Sequence, residues 1–187
     1  MGPGAYSRLS FCLLIWLASG NPVEAGEESV PPGEEREDLT YLHAEYQLLR
    51  NQLCNENWKS HGFYCYRYFD TPRTFSEAEA ECQGYGQHGH LASIVSPADS
   101  VFLADLAENA NYDIWIGLRN TEGCNSWAWT DATPFNPAYT PWAEWQPNSC
   151  NSEQVCVQLI HASKYSKWND VGCHSRSGYI CEIPAGL

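Results

Sequence analysis

The chain has 187 residues, of which 43% are hydrophobic and 18% charged, and its 23 acidic and 10 basic residues give a formal net charge of −13. This hydrophobic content can form a packed core and excludes a wholly disordered protein. The negative charge repels phosphate backbones and anionic membrane surfaces, so we expect no nucleic acid and no membrane insertion, whereas cations are suitable ligands.

Residues 1–25 have the pattern of a secretory signal peptide. Arg8 precedes an apolar run over residues 9–18, and the small residues that follow indicate cleavage near Ala25. A membrane anchor is the alternative, but the run is too short to span a bilayer comfortably. We therefore expect a secreted, extracellular protein.

Cysteine usage agrees with secretion. Removing residues 1–25 removes Cys12 and leaves eight cysteines, an even number, in an oxidising compartment. Four disulfides are expected. Pairing consumes the thiolates, so a cysteine nucleophile or a thiolate zinc site is not expected.

Two short segments precede the main domain. Residues 26–38 hold six acidic residues with prolines and glycines and no apolar pattern, which predicts an acidic linker or propeptide. Residues 39–53 then predict a short amphipathic neck helix, because heptad a/d spacing relates Leu39, Leu42, Tyr46, Leu49 and Leu53. Two alternatives stay open: the apolar stripe docks on its own domain, or it pairs with copies of itself to form a homo-oligomer.

Residues 54–183 predict an α+β domain, followed by a tail over residues 184–187. Aromatic and β-branched runs predict strands at residues 63–68, 114–118, 126–130, 155–160 and 179–183. One helix is predicted from Ser76, with Glu79 completing a capping box, to Gly84. A second is predicted to begin at Ser96, with Pro97 at its first position.

A long irregular stretch over residues 131–154 contains four prolines. Loops of this length in compact domains are usually functional when ordered. Cys124 and Cys150 lie near its two ends and are suited to staple it. A bound metal is another way to order it.

Oxygen donors cluster in this loop and just after it. They are the amides and carboxylates of Gln146, Asn148, Glu153, Asn169 and Asp170. Oxygen ligands without His or Cys suit Ca²⁺ rather than zinc or copper. A cis Gln146–Pro147 bond would hold the flanking side chains toward one point. Taken separately, the Gln-Pro-Asn and Asn-Asp segments are also typical of ordinary polar turns.

Four motifs together resemble the C-type lectin domain, and the cysteine spacing agrees. They are Trp-Ile-Gly-Leu at 115–118, Trp-Ala-Trp at 127–129, Gln-Pro-Asn at 146–148 and Trp-Asn-Asp at 168–170. The resemblance covers residues 54–183. It implies a C-type lectin-like fold with two helices, small antiparallel sheets, disulfide staples and a long calcium-binding loop.

The resemblance also implies the disulfide pairing. The implied pairs are Cys54–Cys65, Cys82–Cys181 and Cys156–Cys173, which leaves Cys124 and Cys150 as an additional pair.

The function that the resemblance implies is calcium-dependent binding of glycans through vicinal hydroxyls. The same five residues would hold the ion and bind the sugar: Gln146, Asn148, Glu153, Asn169 and Asp170. Amide groups donate to hydroxyls and carboxylates accept from them. No acid–base or nucleophile constellation is visible, so we expect no enzyme.

The chain departs from the family pattern in two ways. Mannose-type members usually have Glu-Pro-Asn and galactose-type members Gln-Pro-Asp. The triplet Gln-Pro-Asn in this chain matches neither pattern, so the sugar class stays undecided. It also has one carboxylate fewer, which predicts weaker calcium binding. Many members place the acid two residues before the cysteine, where Gln154 stands, but we assign the role to Glu153. The triplet with two amides and the additional Cys124–Cys150 pair favour an alternative function, a lectin-like domain that recognises a protein, mineral or ice surface.

Aromatic residues near the loop have two interpretations. We expect Trp127, Trp129, Trp142 and Trp145 to pack in the core and loop. Tyr165 and His161 are candidates to flank a bound sugar.

Overall fold

The computed structural model describes residues 41, 54–123, 126–149 and 155–186. The expected signal peptide, linker, neck helix apart from residue 41, Cys124, Cys150 and Glu153 lie outside these residues. Within them the elements in chain order are β1 (Lys59–His61), β2 (Tyr64–Arg73), α1 (Phe75–Gln83), β3 (His90–Leu91), α2 (Pro97–Leu106), β4 (Ile114–Asn120), β5 (Trp127–Trp129), β6 (Val155–Leu159), a 3₁₀ turn (His161–Ser163), β7 (Trp168–Gly172) and β8 (Ser177–Pro184).

The strands are hydrogen-bonded in the order β1-β2-β8-β4-β6-β7, with β3 on β8 and β5 on β4. All pairs are antiparallel except β4 with β8. The α+β class and the five strand regions expected from the sequence are confirmed. β8 continues through Pro184, and the Ala185 N–H donates to the Phe63 carbonyl at 2.9 Å.

The first helix begins earlier than expected. Its N-cap is Thr74, whose hydroxyl accepts from the Glu77 N–H while the Glu77 carboxylate accepts from the Thr74 N–H. Glu79 does not cap the helix, because its carboxylate binds the His90 ring at 2.7 Å and the Leu91 N–H at 2.9 Å. The assignment of Ser76 as the cap was therefore wrong.

The second helix begins as predicted. Ser96 is its N-cap and Pro97 its first residue, and Asp99 completes a capping box. Proline suits this position because its missing N–H would have no helical partner there.

Two buried clusters form the core, one around Leu103 and Trp168 and the other around Trp115 and Tyr179. Three disulfides lie in the described residues: Cys54–Cys65, Cys82–Cys181 and Cys156–Cys173. They are the pairs that the resemblance implies. Cys82–Cys181 ties α1 to β8 across a sequence separation of 99 residues.

A buried carboxyl group lies on β8. Glu182 is 1% exposed and accepts hydrogen bonds from the Ser93 N–H at 3.0 Å and the Ser93 hydroxyl at 3.2 Å. Burial, and secondarily the Asp131 carboxylate, raise the Glu182 pKa well above its usual value.

Across the described ranges, no helix has the length and apolar character needed to cross a bilayer.

Candidate calcium and carbohydrate site

The long loop lies along β7, the strand at one edge of the sheet. The Ala143 N–H donates to the Trp168 carbonyl and the Trp168 N–H donates to the Pro141 carbonyl, each at 2.9 Å. These bonds extend the sheet by one short bridge between Trp142 and Trp168. They bring the Gln-Pro-Asn and Trp-Asn-Asp motifs together, although 20 residues separate Asn148 from Trp168 in the sequence.

Asp170 holds the end of the described loop. Its two carboxylate oxygens accept from two successive backbone N–H groups, those of Asn148 at 2.8 Å and Ser149 at 2.7 Å. The Ser149 hydroxyl donates to the Asp170 carbonyl at 2.9 Å. Three hydrogen bonds therefore fix the position of residues 148–149 relative to β7.

The Asp170 carboxylate is buried. The residue is 1% exposed, and no cationic side chain in the described ranges forms an ion pair with it. Backbone N–H groups stabilise the charge, but a buried carboxylate is costly without a full positive partner. This position suits a cation.

Gln146 has an unused acceptor. The Gln146–Pro147 peptide bond is cis. The Gln146 side-chain oxygen is shielded from solvent and accepts no hydrogen bond from the described residues. A buried amide oxygen without a donor is uncommon and calls for an explanation, and a bound ion is one.

The other described candidate ligands are Asn169 and Asn148. Asn169 is half-buried on β7 beside Asp170, and Asn148 is exposed at the end of the described loop. The Asn148 side-chain oxygen accepts from the Ser149 hydroxyl at 3.2 Å. Glu153 and its alternative Gln154 lie outside the described residues, so the choice between them stays a prediction.

The described donor set suits calcium better than zinc. No group of three or more His, Cys, Asp or Glu side chains in the described ranges is placed to hold a metal ion. The described candidates are one carboxylate and three amides, and amide oxygens are ordinary calcium ligands.

A cavity of about 590 Å³ lies beside the Cys156–Cys173 disulfide, and its lining includes Arg119 and His174 but none of Gln146, Asn148, Asn169 and Asp170. This cavity is therefore separate from the candidate site.

The structure corrects two expectations for the aromatic residues. Trp127, Trp129 and Trp142 are buried or half-buried against the core, as predicted, but Trp145 is 84% exposed. Tyr165 is 3% exposed and its hydroxyl donates to the Ala110 carbonyl at 2.9 Å, so it is a core residue with no face for a sugar.

Ser149 was not among the expected site residues. A serine after Gln-Pro-Asn gives no signal of its own in the sequence, because its role depends on the backbone turn that brings it to Asp170.

Comparisons with known proteins agree on the family. The model of the lectin C-type domain matches residues 71–183. A C-type lectin from Micrurus corallinus is 37% identical over 68% of this chain and 82% of its own length. A mannose-binding C-type lectin isoform from Oxyuranus scutellatus is 33% identical, and a galactose-binding isoform from Pseudechis australis is 32% identical, each over 69% of this chain and 82% of its own length.

Solved structures show the same fold. The C-type lectin CEL-I from Cucumaria echinata superposes with a TM-score of 0.62 at 28% identity, over 69% of this chain and 96% of that one. A calcium-independent type II antifreeze protein superposes with a TM-score of 0.61 at 32% identity, over 71% of this chain and 95% of that one. The family match, the relatives and the fold together show that this chain belongs to the C-type lectin family.

Proposed function

We propose that the protein is a secreted lectin that binds glycans through one calcium ion. Gln146, Asn148, Glu153, Asn169 and Asp170 would hold the ion and contact the sugar. The relatives are C-type lectins, which is consistent with a binding protein and not an enzyme.

The observation that carries this proposal is the presence of a buried carboxylate and a buried amide oxygen on two segments that are hydrogen-bonded to each other. Within the described residues, Asp170 has no cationic partner and the Gln146 amide oxygen has no donor. Asp170 also binds the backbone two and three residues after Gln146. A cation would neutralise the Asp170 carboxylate and could also be coordinated by the Gln146 amide oxygen.

Each residue has a chemical role toward the sugar. A bound calcium ion supplies coordination positions for two vicinal hydroxyls. The amides of Gln146, Asn148 and Asn169 can donate to those hydroxyls through nitrogen, and the carboxylate of Glu153 can accept from them. Asp170 fixes the loop through its bonds to the backbone of residues 148 and 149.

The amide-rich triplet predicts weak calcium binding, because calcium affinity depends on the number of charged ligands. The relatives include one named mannose-binding and one named galactose-binding. The sugar is therefore a glycan with vicinal hydroxyls, and the choice between the two classes is left to the experiment.

The test is retention of the refolded mature protein on galactose and mannose resins in calcium, followed by elution with EDTA. We expect retention on one resin and loss of that retention in EDTA. Asn169→Ala should abolish retention and the calcium-induced rise in melting temperature. Asn111→Ala is the matched control, because Asn111 is an exposed asparagine outside the site.

Flow-through of the wild type on both resins, without a calcium effect on the melting temperature, would refute the proposal. That result would support the alternative of a lectin-like domain that recognises a protein, mineral or ice surface. Unchanged retention of Asn169→Ala would also refute the assigned site.

We also propose the organisation outside the described residues. Residues 1–25 would be removed on secretion, residues 26–38 would form the linker or propeptide, and a Cys124–Cys150 disulfide would staple the loop. The helix over residues 39–53 would pair with copies of itself, which would multiply weak single-site affinity. Sedimentation of the mature protein with and without residues 39–53 tests this pairing, and a monomer in both cases would refute it.

A further inference from the structure

The cavity beside the Cys156–Cys173 disulfide has a volume of about 590 Å³. Four segments line it: the start of α1, the end of β4, the start of β6 and the turn that follows β7. Its volume lies in the range of small-molecule sites, which is about 300–1,000 Å³. None of the described residues of the candidate calcium site lines it. The cavity is therefore large enough to hold a ligand of its own.

The charge of this cavity is opposite to that of the chain. Its described lining includes Arg119 and His174 and no acidic residue, whereas the whole chain has a net charge of −13. The acid nearest to the start of α1 is Glu77, whose carboxylate already accepts from the Thr74 N–H at 3.0 Å and pairs with Arg176 at 3.2 Å. The described residues therefore supply no free acid to neutralise the cavity.

The Arg119 guanidinium forms no ion pair and no hydrogen bond with the described residues. An exposed arginine without a partner is ordinary by itself, because water solvates it. Here the arginine lies at the wall of a cavity that also holds a histidine and unpaired N–H donors. An anion is the partner that such a lining lacks.

The His174 ring packs against the backbone beside this cavity. A Cβ atom at Gly172 would lie 2.6 Å from the ring carbon Cε1 and 3.0 Å from Nδ1, so any larger residue at position 172 would displace the ring. The Cys173 carbonyl, between these two residues, accepts from the Phe75 N–H at 3.0 Å. This bond ties the turn that carries His174 to the first residue of α1.

Two further N–H donors in the lining have no acceptor among the described residues. The Asn120 side-chain nitrogen is shielded from solvent and forms no hydrogen bond, which is uncommon for a buried polar atom. Ser76 is the second residue of α1, a position whose backbone N–H has no acceptor within the helix. The partial positive charge of the helix N-terminus adds to that of Arg119.

We propose that this cavity binds a small organic ligand through an oxyanion group, with Arg119 as the main contact and His174, Asn120 and Ser76 as further donors. A guanidinium presents two parallel N–H groups to two oxygens of one sulfate, phosphate or carboxylate group. The cavity has room for more than an inorganic ion, so the ligand also has a neutral part of about the size of a monosaccharide. This inference goes beyond the proposed function and does not use the calcium site.

The test measures binding of three charged hexoses to the mature protein by calorimetry. The probes are glucose 6-sulfate, glucose 6-phosphate and glucuronate, with glucose as the neutral control. Calcium is removed with a chelating resin rather than with EDTA, because EDTA is itself a polycarboxylate and would compete for the cavity. We expect binding of at least one charged hexose and none of glucose, and the hexose that binds identifies the oxyanion.

Four variants locate the binding. Arg119→Gln should bind about tenfold or more weakly, because it loses hydrogen bonds between charged groups. Arg119→Lys should lose less, since it keeps the charge but not the paired N–H groups. His174→Gln should bind about two- to tenfold more weakly. Lys167→Gln is the matched control, because Lys167 is exposed, lies outside the described lining and should leave the affinity unchanged.

Melting temperatures should be equal for the wild type and Arg119→Gln, since the guanidinium has no partner to lose in the described residues. Absence of binding for all three charged hexoses would overturn the proposal. An unchanged affinity of Arg119→Gln, or an equal loss in Lys167→Gln, would also overturn it, because the effect would then be one of overall charge.

Asn169→Ala separates this site from the calcium site. It should bind the charged hexose with the affinity of the wild type, although it should lose retention on the sugar resin. Failure of the lectin proposal would therefore leave this result unchanged. Loss of charged-hexose binding in Asn169→Ala would overturn the assignment to a separate cavity.

Discussion

Asp170→Asn isolates the role of one carboxylate in holding the long loop. In the wild type, its two oxygens accept from the Asn148 and Ser149 N–H groups at 2.8 and 2.7 Å. An asparagine keeps one acceptor oxygen but turns an NH₂ group toward the other N–H. One charge-assisted hydrogen bond is lost, and a buried N–H is left facing a donor.

The expected cost is about 2–4 kcal/mol of unfolding free energy, since a hydrogen bond to a charged group contributes roughly 1.5–3 kcal/mol and an unpaired buried donor adds to the loss. The assay is urea unfolding in EDTA, so that any calcium contribution is absent. Asn169→Ala is the matched control, because no hydrogen bond of its side chain is present among the described residues. It should lose much less stability in EDTA.

A change below about 0.5 kcal/mol for Asp170→Asn in EDTA would contradict this reasoning, since that is the scatter of ordinary surface substitutions. It would mean that the carboxylate does not fix the loop in the calcium-free protein.

Two further predictions concern the rest of the domain. The pKa of Glu182 is higher in the folded protein than in the unfolded chain, where it lies near 4.5. The protonated Glu182 side chain therefore contributes to the free energy of unfolding at low pH, and this contribution falls as the pH rises above 4.5. Glu182→Gln should remove this fall, so its stability relative to the wild type should increase between about pH 5 and pH 8 in thermal melts; an unchanged difference would argue against a neutral buried carboxyl. Replacing Cys82 and Cys181 together by alanine should cost roughly 4–5 kcal/mol in urea unfolding, because the bridge closes a loop of about 100 residues, and a loss below about 1 kcal/mol would contradict the chain-entropy account.

Helices and strands could be predicted from the sequence where the local residue pattern allowed one interpretation. Ser96 followed by Pro97 predicted the start of α2, and the apolar run from Ile114 to Leu118 predicted a strand. The start of α1 was not accessible in this way. Two capping boxes overlap there, and only the contact of Glu79 with His90 decides between them.

The candidate site was predictable in composition but not in arrangement. The oxygen donors were visible as residue types, yet β7 was not recognised as a strand, because Asn169, Asp170 and Gly172 have low strand propensity. The pairing of β7 with β6 and with the loop overrides that propensity. Trp145 was misassigned to packing because residue type alone does not reveal which tryptophan of the loop stays exposed.

The bonds between the long loop and β7 have a consequence for solubility. β7 ends the order of the sheet, and an uncovered terminal strand is a template for pairing with another chain. Pro141 and Ala143 occupy the outward backbone groups of Trp168, and Asp170 is covered by residues 148–149. The long loop thus also protects this end of the sheet from edge-to-edge aggregation, which limits how far the loop can be shortened.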